Sequence, residues 1–128
     1  MSQAYKAGDI LRVVYSGLVD GETKRRRVLF WLEDVMNPSR ILVSGIYGTA
    51  TQGKWECRLY PNQYNGLTKD CVVRIDNTRY IQASSVLELC GTLNPIEFSA
   101  VKNLMMEYSS AYKANSPEDF DENPFGIF

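Results

Sequence analysis

The chain has 128 residues, 45% hydrophobic and 23% charged, with a formal net charge of −1 and no histidine. That length supports one domain able to bury about two-thirds of its unfolded surface without a metal or disulfide, and the lack of histidine excludes Ser-His-Asp, Cys-His and histidine acid/base mechanisms. Three scattered cysteines, Cys57, Cys71 and Cys90, form no C-x-x-C pair, so neither a disulfide framework nor a zinc site is indicated, and no metal or other cofactor is expected.

Ala7-Gly8-Asp9 before Ile10-Leu11-Arg12-Val13-Val14-Tyr15 predicts a turn feeding a first strand. Ser16 to Lys24, with Gly17 and Asp20-Gly21, predicts a loop. The basic run Lys24-Arg25-Arg26-Arg27 ends that loop and passes into Val28-Leu29-Phe30-Trp31-Leu32, a second strand apolar on both faces and so expected at the sheet centre. Arginines at the edge of a rigid sheet present fixed guanidinium forks to phosphate, although a solvated loop edge has the same composition. Met36-Asn37-Pro38-Ser39 breaks the chain before a third strand, Arg40 to Tyr47. After the loop Gly48 to Gly53 come a fourth strand, Lys54 to Tyr60, a turn through Pro61 to Gly66, and a fifth strand, Cys71 to Asp76. Short extended pieces follow at Arg79 to Ile81 and Val86 to Cys90.

A helix begins at Asn94-Pro95-Ile96-Glu97, where Asn94 can cap, Pro95 suits the first helical position and Glu97 completes a capping box. Phe98, Val101, Leu104, Met105, Tyr108 and Tyr112 then form an apolar stripe that reads as core. Residues 114–128 form an acidic tail, expected to be flexible, with Glu118, Asp119, Asp121 and Glu122 and no base. The body 1–113 therefore carries 14 bases against 11 acids, a formal net of +3, which is compatible with a nucleic-acid partner. The start of the chain lacks an apolar signal-peptide core and no apolar run is long enough to span a bilayer, so a cytoplasmic protein without a membrane partner is expected. Short strands followed by one late helix predict a mainly β fold with a C-terminal α-helix: a small, strongly bent antiparallel sheet closed into a barrel.

Read together, these motifs resemble the MazF/PemK family, the endoribonuclease toxins of bacterial toxin-antitoxin pairs. The resemblance rests on Gly8-Asp9-Ile10, the basic loop Gly21 to Arg27 with an apolar strand at once after it, Ile46-Tyr47-Gly48-Thr49, Gly66-Leu67, Cys71 to Asp76, Asn77-Thr78-Arg79-Tyr80-Ile81 and Gly91-Thr92-Leu93 before the helix, and spans about residues 7 to 110. It implies an SH3-like, CcdB-like barrel, a homodimer, a cognate antitoxin, and sequence-specific, metal-independent cleavage of single-stranded RNA. The family's catalytic arginine and threonine fall on Arg26 and Thr49, and its acidic residue on Glu22. Proline usually follows that arginine; Arg27 stands there in this chain, which leaves the register among Arg25, Arg26 and Arg27 open.

For such a reaction the ribose 2′-hydroxyl attacks phosphorus, and a guanidinium with a threonine hydroxyl stabilises the charge of the phosphorane, an effect worth ~3 to 4 kcal/mol per donor in oxyanion holes. Arg26, a poor base because its guanidinium holds its proton tightly, is assigned to charge stabilisation and leaving-group protonation. Glu22, a neighbouring arginine or water is left as the base. Lys24, Arg25 and Arg27 are candidates for RNA phosphates, and Tyr47 and Trp55, which flank the Thr49 loop, for base stacking. Half-buried strand aromatics are the alternative for both, and Trp31 reads as core. Two other readings stand beside the nuclease: a non-catalytic CcdB-like toxin or binding module on the same barrel, and a protein self-inhibited by its acidic, aromatic tail.

Overall fold

Among the described residues, branched and aromatic side chains that alternate between two apolar layers build six strands in chain order: β1 (Asp9–Ser16), β2 (Thr23–Glu33), β3 (Arg40–Tyr47), β4 (Glu56–Leu59), β5 (Cys71–Gln82) and β6 (Val86–Thr92). A 3-10 turn, Ala83–Ser85, joins the last two, and α1 (Pro95–Asn115) follows. The structure, a computed structural model, describes residues 5–16, 23–48 and 53–115. Every strand pairing is antiparallel, in the order β4-β5-β3-β2-β1-β6.

The sheet carries apolar side chains on both faces. Ile10, Leu29, Trp31, Leu42, Val73 and Ile75 face α1, whose Val101 and Met105 are wholly buried among them. Leu11, Val13, Val28, Phe30, Ile41 and Val43 form a second cluster on the other face, covered by Tyr5, Ile81 and Val86. Because successive residues of a strand point to opposite faces, a strand buried on both sides reads as a continuous apolar run, which is how Val28 to Leu32 appears in the sequence.

Three boundaries differ from the sequence expectation. The basic run lies within β2, where Arg27, Arg26, Arg25 and Lys24 pair with Arg12, Val13, Val14 and Tyr15 of β1. Strand pairing satisfies the backbone whatever the side-chain charge, so composition alone misassigned that stretch to a loop. The fourth strand is shorter than expected, Glu56–Leu59. The fifth continues through Gln82, absorbing the separate piece expected at Arg79 to Ile81. Within it the ladder slips: Ser44 of β3 pairs with Thr78 whereas Gly45 pairs with Arg74, so residues 75–77 have no partner on β3. Thr78 Oγ1 donates back to the Ile75 carbonyl at 2.6 Å, closing this bulge on itself.

The expected closure into a barrel is made by a loop. Among the described residues no ladder joins the two edge strands, β4 and β6. The segment after β4 instead lies on β6: Thr92 N–H donates to the Tyr64 carbonyl at 2.9 Å. The approach is so close that a Cβ on Gly91 would stand 2.4 Å from the Asn65 carbonyl carbon, and one on Gly66, at φ +69°, 2.2 Å from the Cys90 oxygen. Asn65 anchors the crossing, wholly buried, and hydrogen-bonds to Glu97 in the first turn of α1. Asn94 and Glu97 form the capping box read from the sequence, with Glu97 N–H donating to Asn94 Oδ1 at 2.8 Å and Asn94 N–H to Glu97 Oε1 at 3.0 Å.

Candidate functional site

Alternation along β2 separates the three arginines. Arg26 projects from the face of Val28 and Val13, with which it is in register, and Arg25 and Arg27 belong to the face of Leu29 and Ile10. Lys24, Arg25 and Arg26 are exposed. Arg27 is half-buried, with its Nε buried and without a hydrogen-bond partner among the described residues. Its charge reaches Cys71: burial pushes that thiol up from its ordinary pKa, and the Arg27 guanidinium opposes the rise.

The face that carries Arg26 ends in a groove. Val13, Val28, Val43 and Ile81 give it an apolar floor, and Arg26, Tyr47, Asn77 and Arg79 stand around it. Its volume of about 40 Å³ is far below that of a pocket that encloses a small molecule, roughly 300 Å³ or more, so a ligand would lie across it. Tyr47 is central. The Arg26 guanidinium carbon is 5.6 Å and that of Arg74 4.3 Å from its ring centroid, both within cation–π range. Asn77 Nδ2 donates to the Tyr47 hydroxyl. Glu56 Oε2 is 3.4 Å from Arg74 Nε and offsets that charge. Gly45, two residues before Tyr47 on the same face, makes room for the ring, since a Cβ there would meet the Tyr47 ring and hydroxyl at 2.8 Å.

The structure thus brings Arg26 and Tyr47 together. It places Trp55 elsewhere: that indole packs edge-on against Tyr108 of α1 at 5.2 Å, on the helix-side core, with the Lys54 ammonium 5.0 Å from its ring, and it does not line the groove. Trp31 is core, its Nε1 donating to Ser44 Oγ at 2.7 Å. Glu22 and Thr49 lie outside the described residues. Arg74, Asn77, Arg79 and Glu56 were not singled out by the sequence reading as site residues. The usable signal was two arginines within one long strand, and the turn-like Asp76-Asn77-Thr78 concealed it by splitting that strand in two.

No protein-family model and no curated protein sequence matches the chain. Solved structures do. The Mycobacterium tuberculosis toxin MazF-mt6 is 25% identical, with a TM-score of 0.55 over 73% of this chain and 92% of that one. A Deinococcus radiodurans MazE-MazF structure has a TM-score of 0.63 at 15% identity, covering 83% of this chain and 96% of the other. An endoribonuclease in complex with its cognate antitoxin, from a mycobacterial species, has a TM-score of 0.62 at 13% identity, covering 80% and 91%. Among the described residues, six antiparallel strands and a single helix near the C-terminus agree with these likenesses, and by its fold the chain is MazF/PemK-like.

Proposed function

We propose that the protein is a metal-independent endoribonuclease that cleaves single-stranded RNA, the toxin of a toxin-antitoxin pair. The observation that carries this reading is an exposed guanidinium, Arg26, standing over a groove beside Tyr47, only two residues before Thr49 in the chain. Among the described residues no carboxylate pairs with Arg26, so its charge is available to a phosphate.

The reaction then runs as an in-line displacement. The 2′-oxygen forms a bond to phosphorus, the bond to the 5′-oxygen breaks, and the products are a 2′,3′-cyclic phosphate and a 5′-hydroxyl end. Arg26, with the Thr49 hydroxyl, stabilises the extra negative charge on the non-bridging oxygens and supplies the proton taken up by the departing 5′-oxygen. The 2′-hydroxyl proton goes to Glu22, a neighbouring arginine or water. Lys24, Arg25 and Arg79, all exposed, draw in the backbone of the strand. Arg27 borders the groove, but by strand alternation its side chain belongs to the opposite sheet face and it is half-buried, which favours Arg26 in the family's catalytic register. A cognate antitoxin, a second copy of the chain as homodimer and a cytoplasmic site of action complete the proposal. The body 1–113 is the toxin domain, although α1 itself continues to Asn115.

The test is incubation with single-stranded RNA in a chelator, beside Arg26→Ala and Thr49→Ala. Cyclic-phosphate and 5′-hydroxyl ends, lost in both folded variants, are the expected result. Full toxicity in both variants, without cleavage by the wild type, would instead identify a non-catalytic CcdB-like binder.

A further inference from the structure

The Tyr47 ring is already in use. Two guanidiniums lie against it, its hydroxyl is held by Asn77, and its position depends on the absence of a side chain at Gly45. A ring so engaged is poorly placed to take a nucleobase on its face, the role that the sequence alone suggested for it.

We infer that Tyr47 is a positioning residue: laid over Gly45 and tethered by Asn77, it fixes the Arg26 guanidinium above the groove. This deepens the nuclease reading and rests on it for its kinetic consequences. An arginine at the exposed end of a strand has a long, mobile side chain, and the useful orientations of its planar fork are few. A ring 5.6 Å away restricts them without consuming any N–H donor, so the fork stays free for phosphate oxygens. Arg74 is closer to the ring, at 4.3 Å, and with its charge offset by Glu56 it serves as a packing partner that buttresses the ring. Arg26 and Arg74 therefore share one aromatic surface, but only Arg26 lacks a carboxylate partner among the described residues. The arrangement depends on β3 ending as Gly45-Ile46-Tyr47 and on the β5 bulge, which brings Asn77 to the hydroxyl.

Two measurements on the full chain test this, one independent of catalysis. In side-chain NMR spectra the ring current of Tyr47 should shift the Arg26 δ-methylene and ε-NH resonances. The shift should persist in weakened form in Tyr47→Phe, which keeps the ring and loses the Asn77 tether, vanish in Tyr47→Leu and shrink in Gly45→Ala. In the kinetic arm, Tyr47→Leu should lower kcat by about 10- to 100-fold, the scale of a misplaced catalytic group, with KM changed less than about threefold, and Tyr47→Phe should recover most of the loss. Arg26 resonances indifferent to Tyr47→Leu would overturn the inference. So would a rise in KM with unchanged kcat, the mark of a lost stacking platform. If the wild type cleaves no RNA, the nuclease reading fails, and the resonance arm still decides whether Tyr47 holds Arg26. Unfolding midpoints measured alongside separate a displaced guanidinium from a damaged fold.

Discussion

Replacing Asn65 by aspartate changes one NH2 group to an oxygen and so isolates the hydrogen bonds that close the sheet. The Asn65 amide is wholly buried and fully used: Nδ2 donates to the Tyr60 carbonyl at 2.8 Å and to Glu97 Oε2 at 3.2 Å, and Oδ1 accepts from Leu67 N–H at 3.0 Å and Asn62 N–H at 3.2 Å. In Asn65→Asp one carboxylate oxygen can keep both acceptor bonds, whereas the other opposes a carbonyl and a second carboxylate. Losing a neutral bond of about 1 kcal/mol and a charge-assisted one of about 1.5 to 3 kcal/mol gives a destabilisation of about 2.5 to 4 kcal/mol near neutral pH. The introduced carboxyl is buried beside Glu97, so its folded-state pKa lies above its unfolded value. Protonation restores one donor, and the sign follows: the variant is less impaired in acid, and its deficit grows as the pH rises through the raised folded-state value. Urea unfolding followed by far-ultraviolet circular dichroism, at about pH 5 and about pH 7.5, reads both effects. With a slope of about 1.5 kcal/mol/M the midpoint should fall by about 2 M at the higher pH. A deficit below about 1 kcal/mol, or one that does not change with pH, would refute the claim that this amide fastens the loop to the helix.

Three further outcomes are expected. Asp34 accepts from Arg40 Nε at 3.0 Å and from Met36 N–H at 3.1 Å, and the Arg40 hydrogen bonds hold its carboxyl below the ordinary aspartate value. A lowered folded-state value gives stability present above the unfolded pKa and lost as the pH falls through the folded one, so the gap between wild type and Asp34→Asn in thermal unfolding should close in acid. Asn94→Ala removes the acceptor of the Glu97 N–H bond and should cost about 1 kcal/mol, a fall of about 4 °C in Tm. Gly66→Ala combines a left-handed backbone with a Cβ 2.2 Å from the Cys90 oxygen and should cost more than about 2 kcal/mol by urea unfolding; a milder effect would mean that the loop yields where it crosses β6.

What the sequence disclosed follows from the range of each interaction. The cap at Asn94 and Glu97 spans three residues and was legible in full, as was the span of β3 from Arg40 to Tyr47. Lys24 to Arg27 was misread because a pairing with β1, invisible locally, outweighs the loop-like composition of four consecutive bases. Continuity of β5 was hidden because Asp76-Asn77-Thr78 has turn chemistry, and the bulge uses that chemistry inside a strand. Arg26 and Tyr47 were reachable through a family resemblance. Their contact with Arg74 and Asn77 was not, since it depends on how far the β3–β5 ladder slips.

That slip gives the strand a joint. Up to the first residue of the slip, Val73 and Ile75 belong to the helix-side core; beyond residue 77, Arg79 and Ile81 line the groove. Asp76, exposed and without a ladder partner on β3, can thus be exchanged without moving either flanking register, whereas Asn77 is held to β3 through the Tyr47 hydroxyl. A change of charge at Asp76, exposed beside the groove wall, is in this way uncoupled from the packing that holds the chain folded and carries little thermodynamic risk.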